Sequence, residues 1–253
     1  MRPKIFAGNW KMNLNPKEAL NYFIEFKKHL SGNLSAHIVI FPVAYALSEE
    51  HQKQAREAQV ELGAQNIHWE ERGAFTGELS ASHLLSMGIH WTLIGHSERR
   101  QYFNETDQTA SKRFGKAASL EMNVIYCIGE KLEQRESNQT EEVLTLQTLA
   151  FAEILKKFPS GKSHWCIAYE PVWAIGTGKT ATCEQAESAH RFIRKIIWDK
   201  LGLEAAQKLP ILYGGSVTPD NARELLAQPN IDGVLVGGAS LKPETFVRIV
   251  TSL

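Results

Sequence analysis

The chain has 253 residues, of which 43% are hydrophobic, and its 28 Lys and Arg balance 28 Asp and Glu. This composition excludes a disordered chain, and the balanced charge gives no overall field to attract nucleic acid or an anionic membrane surface. There is no run of eighteen apolar residues and no signal-peptide pattern at residues 1–9, so we expect a cytoplasmic protein. The three cysteines lack metal-ligand or disulfide-framework spacing, and Cys127 and Cys166 lie in apolar runs that predict burial.

Eight short apolar runs predict β-strands, at residues 4–10, 37–42, 59–65, 91–95, 123–128, 164–169, 210–213 and 233–236. Several are apolar without alternation, which is typical of parallel strands that are buried on both faces. Helical patterns lie between them, for example after Asn15-Pro16, after Asp220 and over the apolar stripe of residues 189–201. No linker divides the chain, so we predict one α/β domain over residues 1–253. A closed (β/α)₈ barrel is favoured, although an open doubly wound sheet shares this alternation.

Polar side chains follow the first and fourth strands. Asn9 and Lys11 point to the same side of their strand, where an amide and a cation would suit an anionic, oxygen-rich ligand. His96 precedes a predicted helix, whose dipole is expected to lower the pKa of the imidazole and keep it neutral. Each feature also has a plainer interpretation, as a polar strand end or as a structural histidine followed by the surface pair Glu98 and Arg99.

Residues 168–181 carry a carboxylate and a candidate lid. Pro171 disfavours helical geometry at Glu170, so this carboxylate stands at the end of the sixth strand. The apolar residues and two glycines that follow are typical of a loop that closes and excludes water. The stretch fails as a nucleotide-binding P-loop, because Trp173 stands where the first glycine is required.

Glycine pairs follow the last two predicted strands, at Gly214-Gly215 before Ser216 and at Gly237-Gly238. As isolated pairs they would be simple turns. At these positions, however, backbone N–H groups can approach an oxyanion closely, and barrels commonly bind phosphate in the loops after strands seven and eight. The two pairs therefore indicate a phosphate site.

In these segments, and in residues 64–66 and 73–80, the chain resembles the triosephosphate isomerase family along its whole length. The resemblance implies a (β/α)₈ barrel enzyme of glycolysis and gluconeogenesis that interconverts dihydroxyacetone phosphate and D-glyceraldehyde 3-phosphate without cofactor or metal. It assigns Glu170 as the base and neutral His96 as the group that polarises the carbonyl, a division of labour known from the family itself. The other residues it implies are Lys11 and Asn9 for the oxyanion and the substrate, Glu98 for orientation, and Gly176, Ser216, Gly237 and Gly238 for the phosphate.

Residues 65–80 form a long loop between strand and helix. Its Trp69 and Phe75 would be costly in water, so either a local fold or a partner should cover them. A loop packed on its own barrel fits the composition. The resemblance instead implies a homodimer, in which this loop brings Thr76 close to Asn9 and Lys11 of the other subunit.

Two other functions stay open. A different phosphate-binding barrel enzyme, such as an epimerase or an aldolase, could use the same fold. A metal-dependent epimerase would need His and Asp ligands at strand ends, and a Schiff-base aldolase a buried lysine on a strand, and the sequence shows neither clearly. A non-catalytic scaffold would be expected to have lost Glu170, His96 or Lys11, and all three are present.

Overall fold

The computed structural model describes residues 2–32, 34–158, 164–174 and 181–253. Parallel strands pair in chain order and β8 pairs with β1, so the sheet closes into a barrel. The strands are β1 (Ile5–Asn9), β2 (His37–Phe41), β3 (Glu61–Ala64), β4 (Trp91–Ile94), β5 (Asn123–Ile128), β6 (Trp165–Tyr169), β7 (Ile211–Tyr213) and β8 (Gly233–Val236). Each predicted strand is confirmed, and closure excludes the open doubly wound sheet.

Helices surround the barrel in the segments between strands. They are α1 (Pro16–His29), α2 (Glu49–Glu57), α3 (Ala81–Ser86), α4 (Ser97–Tyr102), α5 (Asp107–Ser119), α6 (Leu132–Glu136), α7 (Thr140–Lys157), α8 (Cys183–Leu201), α9 (Leu203–Lys208), α10 (Ala222–Leu226) and α11 (Pro243–Val250). In the part of the chain that the structure describes, no helix has the length and apolar character needed to cross a membrane.

Local sequence signals account for some of the helix starts. Asn15 accepts the Glu18 backbone N–H, the Glu18 carboxylate accepts the Asn15 N–H, and Pro16 occupies the first helical position of α1, as predicted. The helix predicted after Asp220 begins at Ala222 with Asn221 as its N-cap residue. The Asn221 side chain accepts the Thr218 N–H and forms no hydrogen bond to the start of the helix. Asp220 precedes this N-cap position, so the helix begins without a side-chain cap.

Two apolar layers hold the strands in place. The inner layer fills the barrel and consists of Ile5, Ala7, Val39, Phe41, Trp91, Leu93, Ile125, Cys127, Cys166, Ala168, Leu212 and Leu235. Strand β3 contributes Gly63, where an added Cβ would lie 2.3 Å from the Phe41 ring. The outer layer lies under the helices and includes Phe6 and Trp10, which alternate along the chain with the inward residues of β1. The predicted burial of Cys127 and Cys166 is confirmed.

Parallel pairing brings the carboxyl ends of all the strands to one mouth of the barrel. The side chains predicted from the strand ends therefore converge there, although they lie far apart in the sequence.

Candidate active site

A cavity of about 330 Å³ opens at the carboxyl-terminal mouth of the barrel. Among the predicted residues, those that line it are Asn9, Lys11, His96, Glu170, Ser216, Gly237 and Gly238. Glu98 contacts Lys11 from the side. Thr76 is exposed on the loop of residues 65–80 and does not line this cavity, and Gly176 lies outside the described residues, as does most of the predicted lid.

Glu170 and His96 are buried and in direct contact. Glu170 Oε1 lies 3.0 Å from His96 Nε2, and Glu170 Oε2 accepts the Ser97 backbone N–H at 2.9 Å. His96 caps α4, because its Nδ1 accepts the Glu98 backbone N–H at 3.2 Å. An Nδ1 that accepts a hydrogen bond carries no proton, so the imidazole is the neutral form with its proton on Nε2, donated to Glu170.

The charges of this pair depend on each other. Burial lowers the pKa of His96, but the charge of Glu170, its hydrogen bond and the charge of Glu98 together raise it by more, so the net direction is upward. The sequence-based expectation of a lowered pKa is therefore wrong for this arrangement. Burial raises the pKa of Glu170, but contact with His96, the Ser97 N–H and the charge of Lys11 together lower it. Glu170 is thus ionised, and the backbone hydrogen bond to Nδ1 selects neutral His96.

Lys11 is held in a strained backbone conformation. Its φ of 53° lies in the left-handed region, which is costly for a residue with a side chain. The Lys11 N–H donates to Asn9 Oδ1 at 3.0 Å, and Gln65 Nε2 donates to the Lys11 carbonyl at 2.7 Å. The Lys11 ammonium lies 2.6 Å from Glu98 Oε1, and 3.9 Å from where a Cβ on Gly237 would be. The cation therefore stands between the carboxylate and the glycine turn after β8.

The two glycine pairs serve different purposes. A Cβ on Gly214 would lie 2.9 Å from Glu170 Cγ, and one on Gly215 would lie 2.2 Å from the Tyr213 hydroxyl oxygen. Side chains there would displace Glu170 or Tyr213. At Gly238, in contrast, an added Cβ meets nothing within 4 Å. The turn after β8 therefore leaves its backbone open to the cavity, as an anion site requires.

Glu130 lies behind the cavity and supports it, and the motifs did not indicate this residue. Its side chain is fully buried, and Oε1 receives the Tyr169 hydroxyl at 3.1 Å, the Trp173 indole N–H at 2.8 Å and Arg135 at 3.1 Å. Its carbonyl accepts the Val172 N–H. Glu130 thus ties the segment after Glu170 to the end of β5. The available signal was an acidic residue placed two positions after the end of an apolar strand.

We expect Glu130→Ala to lower the free energy of unfolding by about 2–3 kcal/mol, because it leaves buried donors and a partly buried cation without their acceptor. Urea titration followed by circular dichroism measures this change. Glu204→Ala removes a carboxylate whose contact with Lys208 is fully exposed, so its unfolding midpoint should match the parent. Equal midpoints for the two variants would contradict a structural role for Glu130.

Comparisons with known proteins agree with this geometry. Residues 4–253 match the family described as Triosephosphate isomerase. The triosephosphate isomerase of Solibacter usitatus is 48% identical over 250 residues, and that of Alkaliphilus oremlandii 45% identical over 250 residues, each covering 99% of both chains. The triosephosphate isomerase of Chloroherpeton thalassium is 46% identical over 252 residues, with 100% of this chain and 99% of the relative covered. The chain belongs to the triosephosphate isomerase family.

Proposed function

We propose that the chain interconverts dihydroxyacetone phosphate and D-glyceraldehyde 3-phosphate by proton transfer through an enediol(ate). Family membership supports the reaction. The contact between ionised Glu170 and the Nε2 proton of His96, in a cavity that also holds Lys11, is the observation that carries the assignment of roles. As the family resemblance implies, we place this activity in glycolysis and gluconeogenesis and in the cytoplasm.

Glu170 is assigned as the base that moves a proton between adjacent carbons. In the structure Glu170 Oε1 accepts the Nε2 proton of His96. A substrate carbonyl that takes this donor displaces Oε1, and the carboxylate is then free to turn towards the substrate carbon. His96 would at the same time lose the charge that raises its pKa, and burial would then favour the neutral form.

The remaining polar groups are assigned to the developing oxyanion and to the phosphate. His96, Lys11 and Asn9 face the cavity, where hydrogen bonds and a positive charge stabilise an enediolate oxygen. Glu98 is assigned an orienting role, since its carboxylate contacts Lys11 and its N–H contacts His96. The phosphate is assigned to Ser216, Gly237 and Gly238, together with Gly176 outside the described residues.

Assembly is proposed to be homodimeric, through the loop of residues 65–80. Trp69 is covered within its own chain, by the His68 ring at 4.2 Å and by Arg113 at 4.9 Å. The local fold therefore accounts for Trp69. This local fold leaves large apolar side chains exposed on the loops after β1, β2 and β3 and at the end of α4, which follows β4. They are Met12, Tyr45, Phe75, Tyr102 and Phe103. These loops adjoin at one mouth of the barrel, and a second copy of the chain would cover them.

A coupled assay of glyceraldehyde 3-phosphate isomerisation tests the proposed reaction. We expect full activity in EDTA and without any added cofactor, because the assigned residues supply base, proton donor and positive charge. Among the described residues no three His, Cys, Asp or Glu side chains are grouped to hold a metal ion. Loss of activity on chelation, with recovery on adding a divalent ion, would overturn the metal-free mechanism. Inactivation by borohydride with substrate would point to a Schiff-base aldolase.

A further inference from the structure

Trp10 follows β1 and forms a hydrogen bond to the turn after β8, in the outer apolar layer between strands and helices. Its side chain is fully buried, and its indole Nε1 donates to the Ser240 carbonyl at 3.1 Å, across 230 positions of sequence. The ring is fixed by aromatic contacts, with centroids 4.7 Å from Tyr22 and 5.5 Å from Phe23. The donor end of the hydrogen bond is therefore fixed in place.

Ser240 belongs to the turn Gly238–Leu241 that follows the glycine at the end of β8. Its N–H and its hydroxyl both donate to the Gly237 carbonyl, at 2.9 and 2.7 Å. Three residues after Ser240 stands Pro243, which has no N–H to continue the turn's hydrogen bonding to the Ser240 carbonyl. The indole supplies a donor to this carbonyl instead.

Along the chain, Trp10 lies between Asn9, the last residue of β1, and Lys11 in the loop that follows. Asn9 and Lys11 face the cavity while Trp10 faces the outer layer, and Lys11 holds its strained conformation directly after Trp10. The turn also packs on β1 itself, since a Cβ on Gly8 would lie 3.0 Å from Ser240 Cβ. The indole hydrogen bond and this packing thus both hold the turn against the strand that precedes Lys11.

We propose that Trp10 is a positioning residue for the phosphate group, whose indole N–H fixes the turn of residues 237–241 against Lys11. This inference rests on the proposed function, because it assigns that turn to the substrate phosphate. Trp10 itself touches no substrate. It keeps the backbone N–H groups of the turn and the ammonium at the spacing that one phosphate spans.

Trp10→Phe tests the proposal, because it keeps an aromatic ring and removes the indole N–H, together with the part of the indole that phenylalanine lacks. We expect KM for the triose phosphate and the inhibition constant for inorganic phosphate to rise together by about 10-fold, with kcat changed less than about 3-fold. Trp165→Phe is the matched control. Trp165 is also buried in the outer layer and donates to the Met122 carbonyl at 2.9 Å, but it stands at the opposite end of the barrel. The Trp165→Phe substitution should lower the free energy of unfolding and leave KM unchanged.

A second measurement uses the parent protein and does not depend on either variant folding. In a ¹⁵N-labelled sample, saturating inorganic phosphate should shift the indole N–H resonance of Trp10 and leave that of Trp165 in place. An unchanged Trp10 resonance in phosphate-saturated protein, or an unchanged KM in a folded Trp10→Phe variant, would overturn the positioning role. Failure of the parent to isomerise triose phosphate would instead overturn the proposed function, and the two failures are thus distinguishable.

Discussion

Glu170→Asp is expected to fold normally and to lose about 10²-fold or more in turnover, because the shorter side chain withdraws the carboxylate by about 1 Å. In the parent the carboxylate reaches both His96 Nε2 and the Ser97 N–H. The aspartate keeps the negative charge and cannot keep both positions. Steady-state kinetics, with circular dichroism and a melting curve on the same sample, measure the effect and check the fold.

Glu61→Asp provides the matched control for this variant. Glu61 stands at the start of β3, at the opposite end of the barrel, and accepts hydrogen bonds from His37 and from the Trp91 indole. The same shortening there should leave kcat unchanged, even if it lowers the melting temperature. A Glu170→Asp protein with the kcat of the Glu61→Asp control would remove Glu170 from its assigned role as the base.

The barrel and most of the candidate site could be predicted because both depend on short-range patterns. Buried parallel strands appear as apolar runs, and their closure places strand-end residues at one mouth. The alternation along β1 was enough to separate Asn9 and Lys11 from Trp10, and the structure has them on opposite sides. Chemistry at strand ends is therefore visible in the sequence once the strands are known.

Features that depend on contacts between distant segments could not be predicted. The local helix start indicated a lowered pKa for His96, and the opposite net direction comes from Glu170, which lies 73 residues after Ser97 and contacts both residues. Glu130 gathers partners from β6, α6 and the segment after Glu170, which no local motif reports. In both cases the deciding interaction is a contact between charged or polar groups from segments that are far apart in the sequence.

Helix α8 shows a similar limit for burial. Ile193, Ile196 and Ile197 of the predicted apolar stripe are buried, while its ends, Ala189 and Leu201, are half-buried. The structure also buries His190 completely. His190 Nδ1 lies 3.2 Å from the Asn230 carbonyl oxygen, so one of its ring nitrogens has a hydrogen-bond partner. Burial lowers the pKa of His190 to about 3. A pattern that counts apolar residues misses a neutral histidine whose partner lies in another loop.

Replacement of residues 69–77 by a short glycine-rich turn is expected to give a folded monomer whose turnover is lower by about 10²-fold or more. The stem of the loop can remain closed, because the His68 N–H donates to the Leu79 carbonyl at 2.8 Å. The replacement removes Phe75 and Thr76, which are exposed in the isolated chain and are proposed to meet the other subunit. Sedimentation velocity and steady-state kinetics on one sample measure assembly and turnover together.

The loss of turnover follows from how Lys11 is held. Within one chain its backbone is fixed by Asn9 and Gln65, while the next residue, Met12, is 90% exposed. A strained backbone conformation persists only where surrounding contacts hold it. The docked loop of the other subunit would provide such contacts beside Met12, on the side that is open in the single chain. Leu146→Ser is the control, since Leu146 is 58% exposed on α7, away from the loop, and its substitution should leave both dimer and turnover intact. A loop-shortened protein that sediments as a monomer and keeps full turnover would show that each site is complete within one chain.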